Sequence, residues 1–237
     1  MKGILLAGGL GTRMYPITKE FNKHVLPIYD MPMFFWPLRT LIDSGIKEIA
    51  VISGPPHGKQ VKNLISYFSS RQRLNIKYVN QPRPLGMPDG IYKCKNFVGK
   101  DSVIVSAADN IYGGNFKKEV KTFKDGALSF LRKVKDPQRY GVPVFERSKI
   151  IKIVEKPKKP KTNWVVTGPH FFDDKVFEFI KKLRPSKRGE FEISDLNTFY
   201  LKQGRLKLIQ RTDFWIDAGT YDTLLKASLF VKNKRKL

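Results

Sequence analysis

Short apolar runs alternate with amphipathic stretches along this chain, and most runs stop at a glycine, a proline or an aspartate. The first, residues 2–7, ends on Gly8-Gly9-Leu10-Gly11. Runs at 46–52, 76–80, 102–107, 127–134, 165–172 and 206–210 have the length and β-branched content of buried strands, and 142–155 reads as further strand with a turn. Helical spacing marks 32–44, where Gly45 is placed to end the helix, then 59–69, 175–183, 193–204 and a closing segment, 221–234. Strand and helix in this order predict an α/β fold, a Rossmann-like doubly wound sheet with helices on both faces. Right-handed crossovers then gather the loops after the strands on one edge, where open sheets of this kind bind ligands.

At 237 residues and 41% hydrophobic content the chain can bury one core, so a single domain over 1–237 is expected. The Pro/Lys-rich stretch 151–163 reads as a linker, and 232–237 as a basic tail. Cys94 is the only cysteine, which rules out an internal disulfide and suits a reducing compartment. The start resembles a secretion signal but fails as one, because Gly8-Gly9 cuts the apolar run short and Arg13 follows. No segment approaches the ~18 apolar residues of a membrane span. A cytoplasmic chain is expected. Formal net charge is +24, which favours anionic partners in general and selects none, since lysines are scattered through helical stretches. Finger, RNP and zinc signatures are all missing from the sequence, so no specific nucleic-acid partner is expected.

Chemistry concentrates at few places. Gly8-Gly9-Leu10-Gly11-Thr12-Arg13 follows a strand, and glycines there let successive N–H groups face phosphate oxygens. It is neither the dinucleotide fingerprint, whose third glycine would fall on Met14, nor a Walker loop, which needs Gly-Lys-Ser/Thr. The guanidinium of Arg13 suits phosphate. In an acid-poor chain, Asp109 and Asp217 each end an apolar strand, and two such carboxylates with phosphate oxygens and water make an octahedral Mg²⁺ site; alone, each also reads as a cap or turn residue. Glu155-Lys156-Pro157 aims a lysine at a phosphate or is a charged turn. His24, His57 and His170 have no partners that spell a triad.

Taken together, Lys2-Gly3-Ile4-Leu5-Leu6-Ala7-Gly8-Gly9-Leu10-Gly11-Thr12-Arg13, Asn22-Lys23-His24-Val25-Leu26-Pro27-Ile28-Tyr29-Asp30, Asp109-Asn110-Ile111, Arg139-Tyr140-Gly141-Val142, Glu155-Lys156-Pro157, Val166-Thr167-Gly168, Gly189-Glu190-Phe191-Glu192-Ile193-Ser194-Asp195 and Trp215-Ile216-Asp217-Ala218-Gly219-Thr220 resemble the glucose-1-phosphate thymidylyltransferase family of sugar nucleotidyltransferases, in its short form. The resemblance implies a mixed, mostly parallel sheet of the nucleotidyltransferase type and Mg²⁺-dependent transfer of a nucleotidyl group to a sugar-1-phosphate. It implies that Gly8, Gly9, Gly11 and Thr12 cradle the triphosphate while Gln81 and Gly86 read the base. Arg13, Lys23 and Lys156 would act on the phosphates, and Asp109 and Asp217 would hold the metal. Asn110, Tyr140, Gly141, Glu155 and Val166 would line the sugar site. Members commonly assemble as homo-oligomers, and the aromatics Phe34-Phe35-Trp36, expected to be exposed, would suit core or interface.

Three segments depart from the family pattern. Gly86-Met87-Pro88-Asp89-Gly90 replaces Gly-Leu-Ala-Gln-Ala, Ala107-Ala108 precedes Asp109 where the family has Leu-Gly, and Pro169-His170 replaces an aliphatic–aromatic pair beside the sugar site. Pro88 and Gly90 weaken a helix after its first turn. Asp89 puts an anion where the family has a neutral amide. Related UTP- or CTP-using transferases, a low-turnover nucleotide-binding relative, and a charge-driven nucleic-acid binder are the alternative readings.

Overall fold

A computed structural model describes residues 1–72 and 75–234. Where one domain was expected, these residues fall into two compact units. One comprises Lys2–Pro84, Ser106–Lys121 and Asp213–Leu237, the other Met1, Leu85–Val105 and Thr122–Thr212.

The first unit is built on three parallel strands, Lys2–Leu6, Glu48–Ser53 and Asn75–Asn80, paired Leu5↔Val51 and Val51↔Tyr78. Their apolar side chains are buried at the first two strands, as continuous apolar runs demand of parallel sheet. Helix Phe35–Asp43 connects the first two strands and helix Gly58–Gln72 the next pair. Val61, Ile65 and Phe68, one helical face, are buried, and Phe68 meets Phe34 edge-on at 6.1 Å. Phe34 and Phe35 are thus core rather than exposed, and Trp36 donates to the Ile28 carbonyl at 3.1 Å. Two short antiparallel pairs follow: Pro27–Ile28 with Met31–Pro32, and Asn110–Tyr112 with Trp215–Asp217. Helix Tyr221–Lys234 packs Ala227 and Val231 on Ile28, Met33 and Ile111. Of the expected tail, Lys232, Asn233 and Lys234 close this helix, and 235–237 lie outside the described residues.

The second unit centres on strand Trp164–Phe172. It runs antiparallel to Ala127–Lys133, to Gly141–Glu146 through Val166↔Gly141, and to Val103–Ala107 through His170↔Val105. Lys149–Glu155 extends the sheet beyond Gly141–Glu146, and Leu206–Gln210 lies parallel to Ala127–Lys133. The turn between Glu146 and Lys149 uses Arg147 and Ser148, both at positive φ as a two-residue hairpin requires. The linker reading of 151–163 is therefore corrected over its first five residues: Ile153 is buried and its N–H bonds to Thr198 Oγ1 at 3.0 Å. Helix Val176–Ile180 is shorter than expected because the residues before Pro185 tighten into i→i−3 bonds. Helix Ile193–Lys202 ends where Gly204, at φ 66°, turns the chain so that Arg205 N–H bonds back to Tyr200. Pro88 does not prevent a helix at Met87–Lys93, since it occupies the first turn.

Candidate active site

In the first unit the glycine-rich loop leaves strand Lys2–Leu6 and enters a single 3-10 turn, Thr12–Met14. Gly11 sits at φ 67°, and its carbonyl accepts from Thr18 Oγ1 at 2.7 Å. A Cβ at Gly8 would stand 2.8 Å from Gln81 Oε1, so loop and Gln81 side chain touch directly. Lys23 passes beside Gly9, where a Cβ would lie 3.3 Å from its Cε. Its ammonium then reaches the carboxylate of Asp109 in a buried ion pair.

Burial pushes the Asp109 carboxyl up, but the Lys23 ammonium, His24 and the Asn110 amide together hold it well below the usual carboxylate range. Asp109 is a fixed anion. Asn110 donates from Nδ2 to Asp109 Oδ1 at 2.8 Å and accepts from Trp215 Nε1 at 2.8 Å. Strand pairing sets Asp217 opposite Asn110, and Ala218 N–H bonds to the Asp109 carbonyl at 2.8 Å, so the two acids stand at neighbouring backbone positions. Arg13 approaches Asp217 at 3.7 Å, and Gly219 N–H donates to its Oδ1 at 2.8 Å. Each acid thus carries a basic partner. Among the described residues no group of three or more His, Cys, Asp or Glu side chains is set to hold a metal. A divalent ion on Asp109 and Asp217 would take its other ligands from phosphate oxygens and water, which is the habit of Mg²⁺. His24, fully buried, is lowered to about 3 by burial and by Lys23, so it is neutral.

In the second unit Gly141 pairs with Glu155 on one side and Val166 on the other, aligning three of the expected sugar-site residues in one row. Gly141 is required there: a Cβ would fall 2.3 Å from Ser194 Oγ. Ser194 donates to Glu155 Oε2. Lys156, at φ 43°, donates its N–H to the Tyr140 carbonyl at 3.0 Å, and its ammonium lies 3.8 Å from Glu155 Oε1. Burial pushes the Glu155 carboxyl up, and Glu192 adds to this against Ser194, Lys156 and Arg188. Gly86, at φ 97°, would place a Cβ 2.1 Å from the Phe191 carbonyl oxygen, so its glycine is fixed by backbone contact. His170 is not a surface group: Ser129 Oγ lies 2.7 Å from its Nδ1, and burial lowers it to about 4.

The model of one family, described as Nucleotidyl transferase, matches residues 2–234. The chain belongs to the nucleotidyl transferase family. A glucose-1-phosphate thymidylyltransferase of Neisseria meningitidis is 42% identical to it over 244 residues, covering 100% of this chain and 84% of that one. A crystal structure described as a glucose-1-phosphate thymidylyltransferase from Bacillus anthracis, in complex with a sucrose, superposes with TM-score 0.89 at 40% identity, over 98% of this chain and 96% of that one. UDP-glucose pyrophosphorylase with UDP-glucose superposes at TM-score 0.85 over 99% of both chains, and at 22% identity it shares the fold. The mixed α/β architecture expected for this nucleotidyl transferase is thus shared with its neighbours.

Two polar residues of this nucleotidyl transferase were passed over in the sequence. Asn22 caps the Lys23–Val25 turn through His24 N–H at 2.9 Å, and an Asn before a short turn is an ordinary capping signal. Ser194 lies in a quoted motif, but a serine two residues into a helix carries no sign of the distant Glu155 it serves.

Proposed function

We propose that the chain transfers a thymidylyl group from dTTP to glucose-1-phosphate, giving dTDP-glucose and pyrophosphate. The observation that carries this reading is the pairing of Lys23 with Asp109 and of Arg13 with Asp217, beside a glycine loop in which Gly11 holds a positive φ and Gly9 lies against Lys23. Relatives at about 40% identity bear that activity's name.

In the reaction a sugar-phosphate oxygen forms a bond to the α-phosphorus, and the bond from that phosphorus to the oxygen bridging to the β-phosphate breaks. The attacking oxygen is already anionic, so no general base is needed, in keeping with two buried histidines lowered to about 3 and about 4, too weakly basic for that role. What the residues must supply is charge neutralisation and position. Gly8, Gly9, Gly11 and Thr12 hold the triphosphate, Lys23 neutralises its reacting phosphates, and Arg13 steadies the departing pyrophosphate. Gln81 and Gly86 read the base. In the second unit Glu155 accepts from sugar hydroxyls and Lys156 grips the sugar phosphate, with Tyr140, Gly141 and Val166 as walls. Asn110 sets Asp109 through one amide N–H, and its second N–H is the group offered to the sugar. Asp109 and Asp217 would hold Mg²⁺, which would draw charge from the phosphate oxygens. We place this activity in the cytoplasm, in keeping with the single cysteine; among the described residues no helix is long and apolar enough to cross a membrane. Self-assembly as a homo-oligomer belongs to the same proposal.

Pyrophosphate release with glucose-1-phosphate and each nucleoside triphosphate in turn tests this. Turnover is expected to be highest with dTTP and to be abolished by chelating the metal; equal or faster turnover with UTP or CTP would move the assignment to a sibling transferase.

A further inference from the structure

The segment that delivers Arg13 and Lys23 is built weakly. Between residues 12 and 25 it contains three 3-10 turns, Thr12–Met14, Ile17–Lys19 and Lys23–Val25, each of three residues. Turns this short gain little from helical cooperativity. Met14 is buried and its carbonyl accepts from Tyr221 at 2.8 Å, but beyond it Tyr15, Ile17 and Phe21 are 41–47% exposed and anchor little. Over residues 19–24 side-chain bonds from the next crossover fix the segment's position.

Gln60, in the first turn of helix Gly58–Gln72, holds both sides of Phe21. Its Oε1 accepts from Asn22 N–H at 2.8 Å, and its Nε2 donates to the Glu20 carbonyl at 3.0 Å. His57 Nε2 meets the Lys19 carbonyl at 2.7 Å. Asn22 in turn caps the Lys23–Val25 turn and reaches the Ala7 carbonyl and Ser53 Oγ at 3.4 and 3.3 Å. A continuous line of bonds therefore runs from one helix to the backbone on either side of Lys23, at Asn22 and His24. Displacements of about 1 Å in a charge that must meet a reacting phosphate cost on the order of 10²-fold in rate.

We propose that Gln60 is a positioning residue: by clasping Glu20 and Asn22 it sets the backbone from which Lys23 spans to Asp109. The inference rests on the reading above, in which Lys23 serves the triphosphate. Neither amide atom of Gln60 need touch substrate, so its loss should lower kcat about tenfold while the KM for dTTP and for glucose-1-phosphate stays within about twofold.

The decisive experiment is a double-mutant cycle on the full chain. Gln60→Ala, Lys23→Ala and the double variant are compared in pyrophosphate release, with Gln60→Glu as the conservative form that keeps the acceptor for Asn22. Gln60→Ala is expected to cost about tenfold in the native background and less than about twofold on top of Lys23→Ala, with Gln60→Glu recovering part of the loss. Amide hydrogen exchange at 20–25 should rise in Gln60→Ala while the melting temperature is held, a readout that a general packing role would not give. Equal costs in both backgrounds, or unchanged exchange at 20–25, overturns the inference while leaving the enzyme reading intact. A wild-type chain that releases no pyrophosphate overturns both, through the reading beneath.

Discussion

Each unit of the molecule carries a lysine–carboxylate pair, and the two behave in opposite ways. Lys23 and Asp109 are both about nine-tenths buried and in direct contact; Lys156 is 43% exposed and stands 3.8 Å from Glu155. Both carboxylates pay for leaving water. At Asp109 the ammonium is close and poorly screened, so attraction outweighs burial and the acid is held low. At Glu155 the cation is half in solvent, its pull is screened, and burial wins. The position of the lysine decides the state of the acid. Asp109 is a fixed anion, whereas the Glu155 carboxyl is pushed up by burial despite its nearby cation.

The sharpest way to break this contrast is to remove the fixed anion. Asp109→Asn keeps shape and leaves Lys23 buried without its counter-charge. Turnover should fall on the order of 10³-fold, since on the proposed function the change disturbs the site for the metal and a positioned cation together. Stability should fall by about 3–5 kcal/mol, as when one partner of a buried pair is deleted. Urea denaturation and pyrophosphate release measure the two effects. A variant that keeps native turnover would remove Asp109 from the chemistry altogether.

A smaller effect, of opposite pH sign, belongs to Glu155. Because its folded-state carboxyl is raised, the ionised acid costs stability at neutral pH. That cost disappears as pH falls through the raised value toward the ordinary 4.5. Asp109 does the reverse: its contribution is intact above the ordinary 3.8 and is lost only as pH falls through its lowered value. Glu155→Gln should therefore gain on wild type in urea midpoint at about pH 7.5 and lose that gain at about pH 5. Its kcat/KM should drop about tenfold through loss of a charged acceptor for sugar hydroxyls. A gap that widens on acidification would contradict the assigned direction.

The sequence was legible where chemistry and backbone coincide. Asp109 lies in the turn just after strand Val103–Ala107, Asp217 ends strand Trp215–Asp217, and the pairing of the latter with Asn110–Tyr112 makes the two acids neighbours. The three parallel strands of the first unit were legible as apolar runs, while their pairing order was not. Less legible was anything set by a distant partner. Nothing local says that Gln60 holds Asn22, 38 residues away, or that Ser194 meets Glu155, 39 residues away. The division into two units was also hidden, because Thr122–Thr212 alternates strand and helix signals as the rest does. His170 looked like a change beside the sugar site, whereas its ring is spent on Ser129 within the core.

The smallest expected effect concerns Asp89, the anion that stands where the family pattern has an amide. If it faced the nucleotide it would repel the triphosphate, and the second unit would oppose what the first attracts. Its carboxylate instead lies 3.8 Å from Lys93, four residues on along helix Met87–Lys93, and sits in the first turn, where the helix dipole favours an anion. Asp89→Gln removes a partly exposed pair and a favourable dipole contact. It should cost about 0.5 kcal/mol in stability and change the KM for dTTP by less than about twofold. Thermal melting with a parallel dTTP titration reads both. A tenfold tightening of dTTP would mean that the carboxylate bears on the base after all, and that base reading in this chain is tuned by charge as well as by the backbone around Gly86.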